Sequence, residues 1–143
     1  MSFAEAQCGI LVVDDDEPVR RYASIALASA GYSVLDAGSG PEALRLLGDV
    51  DCHVKLLLTD IRMPGMDGIE LASRVRREHP GIRILYMTGF SDAAVEPDST
   101  VLHKPFSPKV LHDEVASSLG VNRGAGAPRP GGSNCARERT TLR

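Results

Sequence analysis

Carboxylates, a hydroxyl and an ammonium group stand where short apolar runs of the sequence end. Asp14 and Asp15 follow the first run, Asp60 comes shortly after three leucines, Thr88 follows a methionine, and Lys104 comes after the last run. Paired carboxylates suit Mg²⁺, and lysine and threonine side chains can bind phosphate oxygens. A carboxylate can also be the nucleophile that accepts a phosphoryl group. Together these side chains predict phosphoryl transfer to an aspartate, with a divalent cation as counter-charge.

The elements that must bring these side chains together follow an alternation of apolar runs and helical patterns. Continuous apolar runs are typical of strands that are buried on both faces of a parallel sheet. Strands are predicted over 9–13, 32–37, 55–59, 82–87 and 100–103, and helices over 18–30, 41–47, 68–78 and 107–119. This alternation predicts a doubly wound α/β sheet of five parallel strands, in which ligands bind beyond the carboxyl ends of the strands.

The segment between the fourth and fifth strands is short. Only residues 89–103 lie between Thr88 and Lys104, and they must hold a loop, a helix and a strand. The sequence therefore predicts a shortened or irregular fourth helix, at about residues 91–95.

Serines and apolar spacing predict where the other helices begin and which faces they bury. Ser39 or Gly40 opens the second helix, and Ser107 caps the last. Helical spacing in the first helix is shared by Val19, Tyr22, Ala23, Ile25, Ala26 and Ala30. The same spacing is shared in the third helix by Ile69, Leu71, Ala72 and Val75, and in the last by Val110, Leu111, Val115 and Leu119. Each set is expected to face the sheet.

Composition places the chain among globular proteins of one domain. It has 43% hydrophobic and 24% charged residues, and no apolar run is long enough to span a membrane. Residues 1–7 lack the basic cluster and apolar stretch of a secretory signal. The three cysteines lack the spacing of a disulfide framework or a zinc site. We therefore expect a cytoplasmic protein with no membrane partner.

Charge is unevenly distributed along the chain. Residues 120–143 hold five arginines and one glutamate, a balance of +4, so the formal net charge of −3 leaves −7 on residues 1–119. An acidic body argues against nucleic-acid binding. The Gly-, Pro- and Arg-rich end is expected to be a disordered basic tail. The predicted organisation is an N-terminal extension over 1–7, one folded domain over 8–119 and this tail over 120–143.

Four motifs occur in an order that carries a family resemblance. They are ILVVDD at 10–15, LLLTDIRMPGMDG at 56–68, MTG at 87–89 and KPF at 104–106. Over about residues 8–119 the chain resembles the receiver domain of two-component response regulators. The resemblance implies a flavodoxin-like sheet with the strand order 2-1-3-4-5.

The resemblance assigns the acceptor and the metal ligands residue by residue. Asp60 matches the aspartate that accepts the phosphoryl group, and Asp14 and Asp15 match the acidic pair that holds Mg²⁺. Arg62 matches the position whose backbone carbonyl also ligates the metal. The implied cofactor is therefore Mg²⁺, bound by three carboxylates and one carbonyl oxygen.

The resemblance also assigns the groups that would respond to phosphorylation. Thr88 matches the switch hydroxyl, and Lys104 matches the lysine of the pocket, with Asp60 as its expected partner. The family further implies a cis peptide bond between Lys104 and Pro105, which would turn the lysine toward the site. Val101 stands where receiver domains usually have an aromatic residue. In the family, the side chain of that residue moves inward with the threonine on phosphorylation and changes the surface, so this response is expected to differ here.

The implied function is a signalling switch rather than an enzyme of conventional turnover. Asp60 would be phosphorylated by a sensor histidine kinase or a histidine phosphotransfer protein, and a stand-alone receiver would pass the signal to a downstream protein that the sequence does not name. Two alternatives stay open. One is an Mg²⁺-dependent phosphatase of the aspartyl-phosphate type, with Asp14 as nucleophile, Asp16 as acid and Lys104 as clamp. The other is a docking module that works without phosphorylation.

Overall fold

The structure, a computed structural model, describes residues 9–49, 53–89 and 100–120. The strands are β1 (Gly9–Val13), β2 (Ser33–Ala37), β3 (Val54–Asp60), β4 (Arg83–Thr88) and β5 (Val101–His103). The helices in the described ranges are α1 (Glu17–Ser29), α2 (Gly40–Leu47), α3 (Gly68–Glu78) and α4 (Pro108–Leu119). Three expectations concern residues outside these ranges: the N-terminal extension over 1–7, the short helix at 91–95 and the tail beyond residue 120.

The strands form one parallel sheet in the order β2-β1-β3-β4-β5. This confirms the predicted flavodoxin-like fold. In the register, Val13 at the end of β1 pairs with Thr59 of β3, Asp60 pairs with Met87 of β4, and Thr88 pairs with His103 of β5. The carboxyl ends of these neighbouring strands therefore lie along one edge of the sheet.

Helices cover both faces of the sheet, as right-handed connections between parallel strands require. On one face, α1 and α4 pack against alternate residues of the central strands, among them Ile10, Leu58 and Met87. On the other face, α2 and α3 pack against the intervening residues, among them Leu11 and Leu57. Because both faces are covered, β1 and most of β3 are buried, which is why they read as continuous apolar runs.

Side chains cap three of the helices where the sequence places a capping residue. The oxygens of Ser39, Asp67 and Ser107 accept hydrogen bonds from backbone N–H groups three residues further on, at 3.3, 2.9 and 3.1 Å. Ser39 rather than Gly40 therefore caps the second helix. Asp16 occupies the equivalent position before α1 but makes no capping bond with its side chain.

Two predicted helix faces need correction. In α1, Tyr22 and Ile25 are 40% and 66% exposed, and Ala30, just after the helix, is exposed too. Leu27, which the pattern missed, is fully buried. In α4, Val110 is 44% exposed, while Leu111 and the residues one and two turns further on are buried. Apolar spacing admits two neighbouring stripes on a helix. Which of them faces the sheet is decided by packing between helix and strand.

No helix in the part of the chain that the structure describes has both the length and the apolar character needed to cross a bilayer.

The orientation of α1 can be tested with two truncations on the same helix. We expect Leu27→Ala to lower the free energy of unfolding by about 2–5 kcal/mol, because it leaves a cavity in the core between α1 and the sheet. Ile25→Ala, the matched control two residues away, should change it by less than about 0.5 kcal/mol. Urea unfolding followed by circular dichroism measures both. Equal losses would show that the helix is rotated differently.

Candidate functional site

The strand ends place the predicted polar side chains along one edge of the sheet. Asp14 directly follows β1 and is fully buried, Asp60 ends β3 and is 7% exposed, and Thr88 ends β4 and is 1% exposed. Lys104 directly follows β5, and its Nζ lies 2.9 Å from Asp14 Oδ2 and 3.3 Å from Asp60 Oδ1. The structure thus brings Asp60, Thr88 at the end of β4 and Lys104 to neighbouring positions, as the sequence predicts.

Asp14, Asp15 and Asp60 form an acidic triad. Each offers a carboxylate oxygen, and these oxygens all lie within 4.8 Å of one another. Three carboxylate oxygens that converge in this way suit Mg²⁺, which takes hard oxygen ligands and completes its shell with water or phosphate. The residues present therefore fit the cation that the sequence predicts. Arg62 lies in the loop after β3 with an exposed side chain, and its carbonyl as a ligand stays a prediction.

Asp14 is held more firmly than the sequence suggests. Its backbone N–H donates to the carbonyl of Ala37 at 3.2 Å, and its Oδ1 accepts the N–H of Asp16 at 2.9 Å. Its Oδ2 accepts a hydrogen bond from Lys104 Nζ. A fully buried carboxylate needs such partners, because an unpaired buried charge is very costly.

Lys104 has a second partner besides the Asp60 that the sequence predicts. Its ammonium contacts Asp60 as expected, but it lies closer to Asp14, at 2.9 Å against 3.3 Å. The reason is geometric, because β1 and β3 are neighbours and an ammonium at the edge of the sheet can reach both strand ends. Lysine thereby neutralises part of the charge of the triad.

The electrostatics of the site raise two pKa values. Burial, reinforced by the charge of Asp14, raises the pKa of Asp60 from 3.8 to about 6, although Lys104 opposes the rise. Burial alone would lower the pKa of Lys104. The hydrogen bond to Asp14 and the charges of Asp14 and Asp60 outweigh it and raise that pKa above 10.5. Burial is thus the main reason why Asp60 ionises less readily than a free aspartate, and the charge of Asp14 adds to it.

The loops around Asp60 leave little freedom for its main chain. Thr59 Oγ1 donates to the carbonyl of Asp60 at 2.9 Å, and Gly68 N–H donates to the carbonyl of Ile61 at 2.8 Å. A Cβ on Gly68 would lie 2.1 Å from the Asp60 carbonyl oxygen. Only glycine allows α3 to begin this close to the main chain of Asp60, which is the steric reason for glycine at position 68.

The loop that carries Lys104 is anchored on both sides. The Lys104 N–H donates to the carbonyl of Thr88 at 2.8 Å, and the bond between Lys104 and Pro105 is cis, as the resemblance implied. The hydroxyl of Tyr22 on α1 donates to the carbonyl of Phe106 at 2.8 Å, and the two rings pack with centroids 5.9 Å apart. Sequence analysis placed Tyr22 in the core and missed this contact, which joins residues distant in the chain.

Val101, which replaces the usual aromatic residue, packs beside an aromatic on the neighbouring strand. Its partner in the β4–β5 ladder is Tyr86, which is 3% exposed and packs with Ile61 and Ala72 on the α3 side of the sheet. Strand alternation places Tyr86 on the same face as Thr88, two residues further along β4. An aromatic ring is therefore present near Thr88, but on β4 instead of β5.

The raised pKa of Asp60 predicts how stability depends on pH. The folded chain binds the Asp60 proton more tightly than the unfolded chain does, so ionisation of Asp60 costs stability as pH rises from about 4 through 6. Asparagine cannot ionise. We expect Asp60→Asn to be more stable than the original chain by about 2 kcal/mol at pH 7.5 without divalent cations, and this gain should vanish near pH 4.

Urea unfolding at the two pH values, in the presence of a chelator, measures this difference. Asp113→Asn is the control, because the Asp113 carboxylate is 64% exposed on α4 and pairs with Lys109 at the surface. It should show no comparable gain at either pH. A gain for Asp60→Asn that is the same at both pH values would contradict a raised pKa.

Comparison with known proteins gives a consistent result. The response regulator receiver domain family matches residues 10–116. Among curated proteins, the chain is 41% identical over 116 residues to the response regulator receiver protein CpdR of Brucella abortus, a match that covers 77% of this chain and 95% of CpdR. It is also 34% identical to the sensor kinase CckA of Brucella abortus, over 77% of this chain but only 12% of the kinase.

Among solved structures, the chain resembles the response regulator TrrA of Thermotoga maritima, which was determined in complex with Mg²⁺-BeF. The TM-score is 0.69 at 29% identity, and the match covers 78% of this chain and 98% of TrrA. The family match spans the motifs that form the site, from Asp14 to Lys104. The chain therefore belongs to the response regulator receiver domain family.

Proposed function

We propose that this chain is a phosphorylation-dependent signalling switch that accepts a phosphoryl group on Asp60. The observation that carries the proposal is the juxtaposition at the carboxyl edge of the sheet. A buried Asp60 carboxylate lies 3.3 Å from Lys104 Nζ and within 4.8 Å of carboxylate oxygens of Asp14 and Asp15. This arrangement combines a nucleophile, a cation for phosphate oxygens and ligands for a metal ion.

The proposed step is transfer from a phosphohistidine of a partner protein. An Asp60 carboxylate oxygen forms a bond to phosphorus while the bond between phosphorus and the histidine nitrogen breaks, and the imidazole leaves with the electron pair of that bond. Asp14, Asp15, Asp60 and the Arg62 carbonyl would hold Mg²⁺, which neutralises charge on the transferring group. Lys104 and Thr88 would bind phosphoryl oxygens through the ammonium and the hydroxyl.

Phosphorylation would change the charge at the strand ends and so rearrange Lys104. A phosphoryl group brings roughly 1.5 to 2 negative charges. The Lys104 ammonium, bonded to Asp14 in this structure, would turn toward the new charge and draw the main chain after β5 with it. That main chain is bonded to α1 through Phe106, which gives the switch a route to the surface.

Phosphoryl transfer to Asp60 needs a phosphodonor protein. The phosphodonor would be a sensor histidine kinase or a histidine phosphotransfer protein, and the similarity to a segment of a sensor kinase supports a place in such a system. The chain would act in the cytoplasm, with a folded domain over 8–119 and a basic tail after it. It would pass its signal to a protein and not to nucleic acid, because residues 1–119 are acidic.

Intact mass spectrometry with a small phosphodonor such as acetyl phosphate tests the proposal. We expect one phosphoryl adduct in the presence of Mg²⁺ and none with a chelator. Asp60→Asn should abolish the adduct because the nucleophile is gone. Asp14→Asn should reduce its rate of formation about tenfold or more, because the metal loses a ligand.

Asp113→Asn is again the matched control and should react like the original chain. Loss of the adduct with Asp14→Asn while it persists in Asp60→Asn would contradict the proposal and favour the phosphatase alternative. A chain that takes no phosphoryl group from a small donor or from any phosphohistidine protein would instead be a docking module.

A further inference from the structure

Arg20 reaches from α1 across the carboxyl ends of β1 and β2. Its Nη1 donates a hydrogen bond to the carbonyl oxygen of Asp14 at 2.9 Å, and its Nε lies 3.6 Å from Asp36 Oδ2. The guanidinium also lies against Gly38, where a Cβ would come within 3.1 Å of Nη1. The side chain is only 19% exposed. Arg20 lies outside the four motifs of the sequence.

The bond from Arg20 falls on the peptide group between the two adjacent carboxylates of the triad. The other bonds around Asp14 hold its N–H and its carboxylate, whereas Arg20 holds its carbonyl. A peptide group is planar, so fixing its oxygen also fixes its N–H and the direction in which the next residue leaves. The next residue is Asp15, whose side chain is exposed and whose direction is therefore set by its main chain.

We propose that Arg20 is a positioning residue for the divalent-cation site, acting through the peptide between Asp14 and Asp15 so that both carboxylates face the cation. The inference rests on the proposed function, because it assumes that the triad binds Mg²⁺. Arg20 bonds to the main-chain carbonyl of Asp14, so it would act through the metal ligands and not as one of them. Its role resembles that of the outer partners that orient metal ligands in other sites.

The charge of Arg20 makes this inference separable from simple electrostatics. A positive guanidinium close to the triad repels Mg²⁺, so the loss of its charge alone would tighten Mg²⁺ binding. Loss of positioning would weaken it. The two explanations therefore predict changes of opposite sign for the same substitution.

The neighbouring arginine provides a matched control. Arg21 is also on the first turns of α1, but its side chain is 66% exposed and pairs with Glu17 at 3.7 Å. Arg20→Gln and Arg21→Gln each remove one positive charge from this helix. We expect Arg20→Gln to weaken Mg²⁺ binding about tenfold and Arg21→Gln to leave it within about twofold.

Isothermal titration with MgCl₂ gives the affinities, and circular dichroism confirms that each variant is folded. Amide hydrogen exchange without Mg²⁺ gives a second readout, independent of the metal. The Asp16 N–H, which donates to Asp14 Oδ1, should exchange faster in Arg20→Gln than in Arg21→Gln. If Arg20→Gln does not fold, Arg20→Lys replaces it, because it keeps the charge but loses the fixed fork of donors, and it too should bind Mg²⁺ more weakly.

Mg²⁺ binding by Arg20→Gln that is as tight as in the original chain, or tighter, overturns the inference and leaves the proposed function intact. An original chain that binds no Mg²⁺ overturns both. Weaker binding in Arg20→Gln with unchanged binding in Arg21→Gln establishes the positioning role.

Discussion

The ion pair between Lys104 and Asp14 joins two loops whose residues lie 90 positions apart in the chain. Asp14 is fully buried, and a buried carboxylate without a counter-charge would destabilise the fold strongly. The main chain after β5 must therefore pass close enough for the lysine to reach the end of β1. In the sheet order β2-β1-β3-β4-β5, two parallel strands separate β1 from β5, and Lys104 reaches across their carboxyl ends to Asp14.

One lysine faces three carboxylates at this site, so the site has an excess of negative charge. This excess is the basis of its proposed chemistry. Asp14, Asp15 and Asp60 together carry three negative charges when ionised, and Lys104 supplies one positive charge. Burial and, after it, the charge of Asp14 raise the pKa of Asp60, although Lys104 opposes the rise. A divalent cation would restore neutrality, and a phosphoryl group would change the balance again. Groups that cost the folded state stability are characteristic of functional sites, because the function depends on the unfavourable arrangement.

Helix α1 supports both sides of this ion pair. Its inner residue Arg20 bonds to the carbonyl of Asp14, and its Tyr22 bonds to the carbonyl of Phe106, two residues after Lys104. His112 of α4 bonds to the carbonyl of Ala26 at 2.8 Å and ties the two helices on that face together. A rearrangement of Lys104 would therefore alter the contacts of α1. The aromatic ring of Tyr86, which is beside Thr88, lies on the opposite face of the sheet.

The sequence alone determined the elements and the edge at which they present their chemistry. Apolar runs end at Asp14, Asp60 and Thr88, and a strand buried on both faces must be apolar until the point where it leaves the sheet. Family motifs implied the strand order and the roles of these residues. The sheet confirms the order, and the roles stay predictions. The apolar pattern is sufficient to locate these strands, because a strand buried on both faces is apolar at successive positions.

Tertiary structure alone decided which side chains meet and which helix faces are buried. Lys104 lies closer to Asp14 than to Asp60, Arg20 bonds to a backbone carbonyl, and Ile25 is exposed while Leu27 is buried. Each of these depends on the rotation of a helix or the path of a loop against a neighbouring strand. Such contacts arise from packing between segments that are far apart in the chain, and no local pattern of residues predicts them.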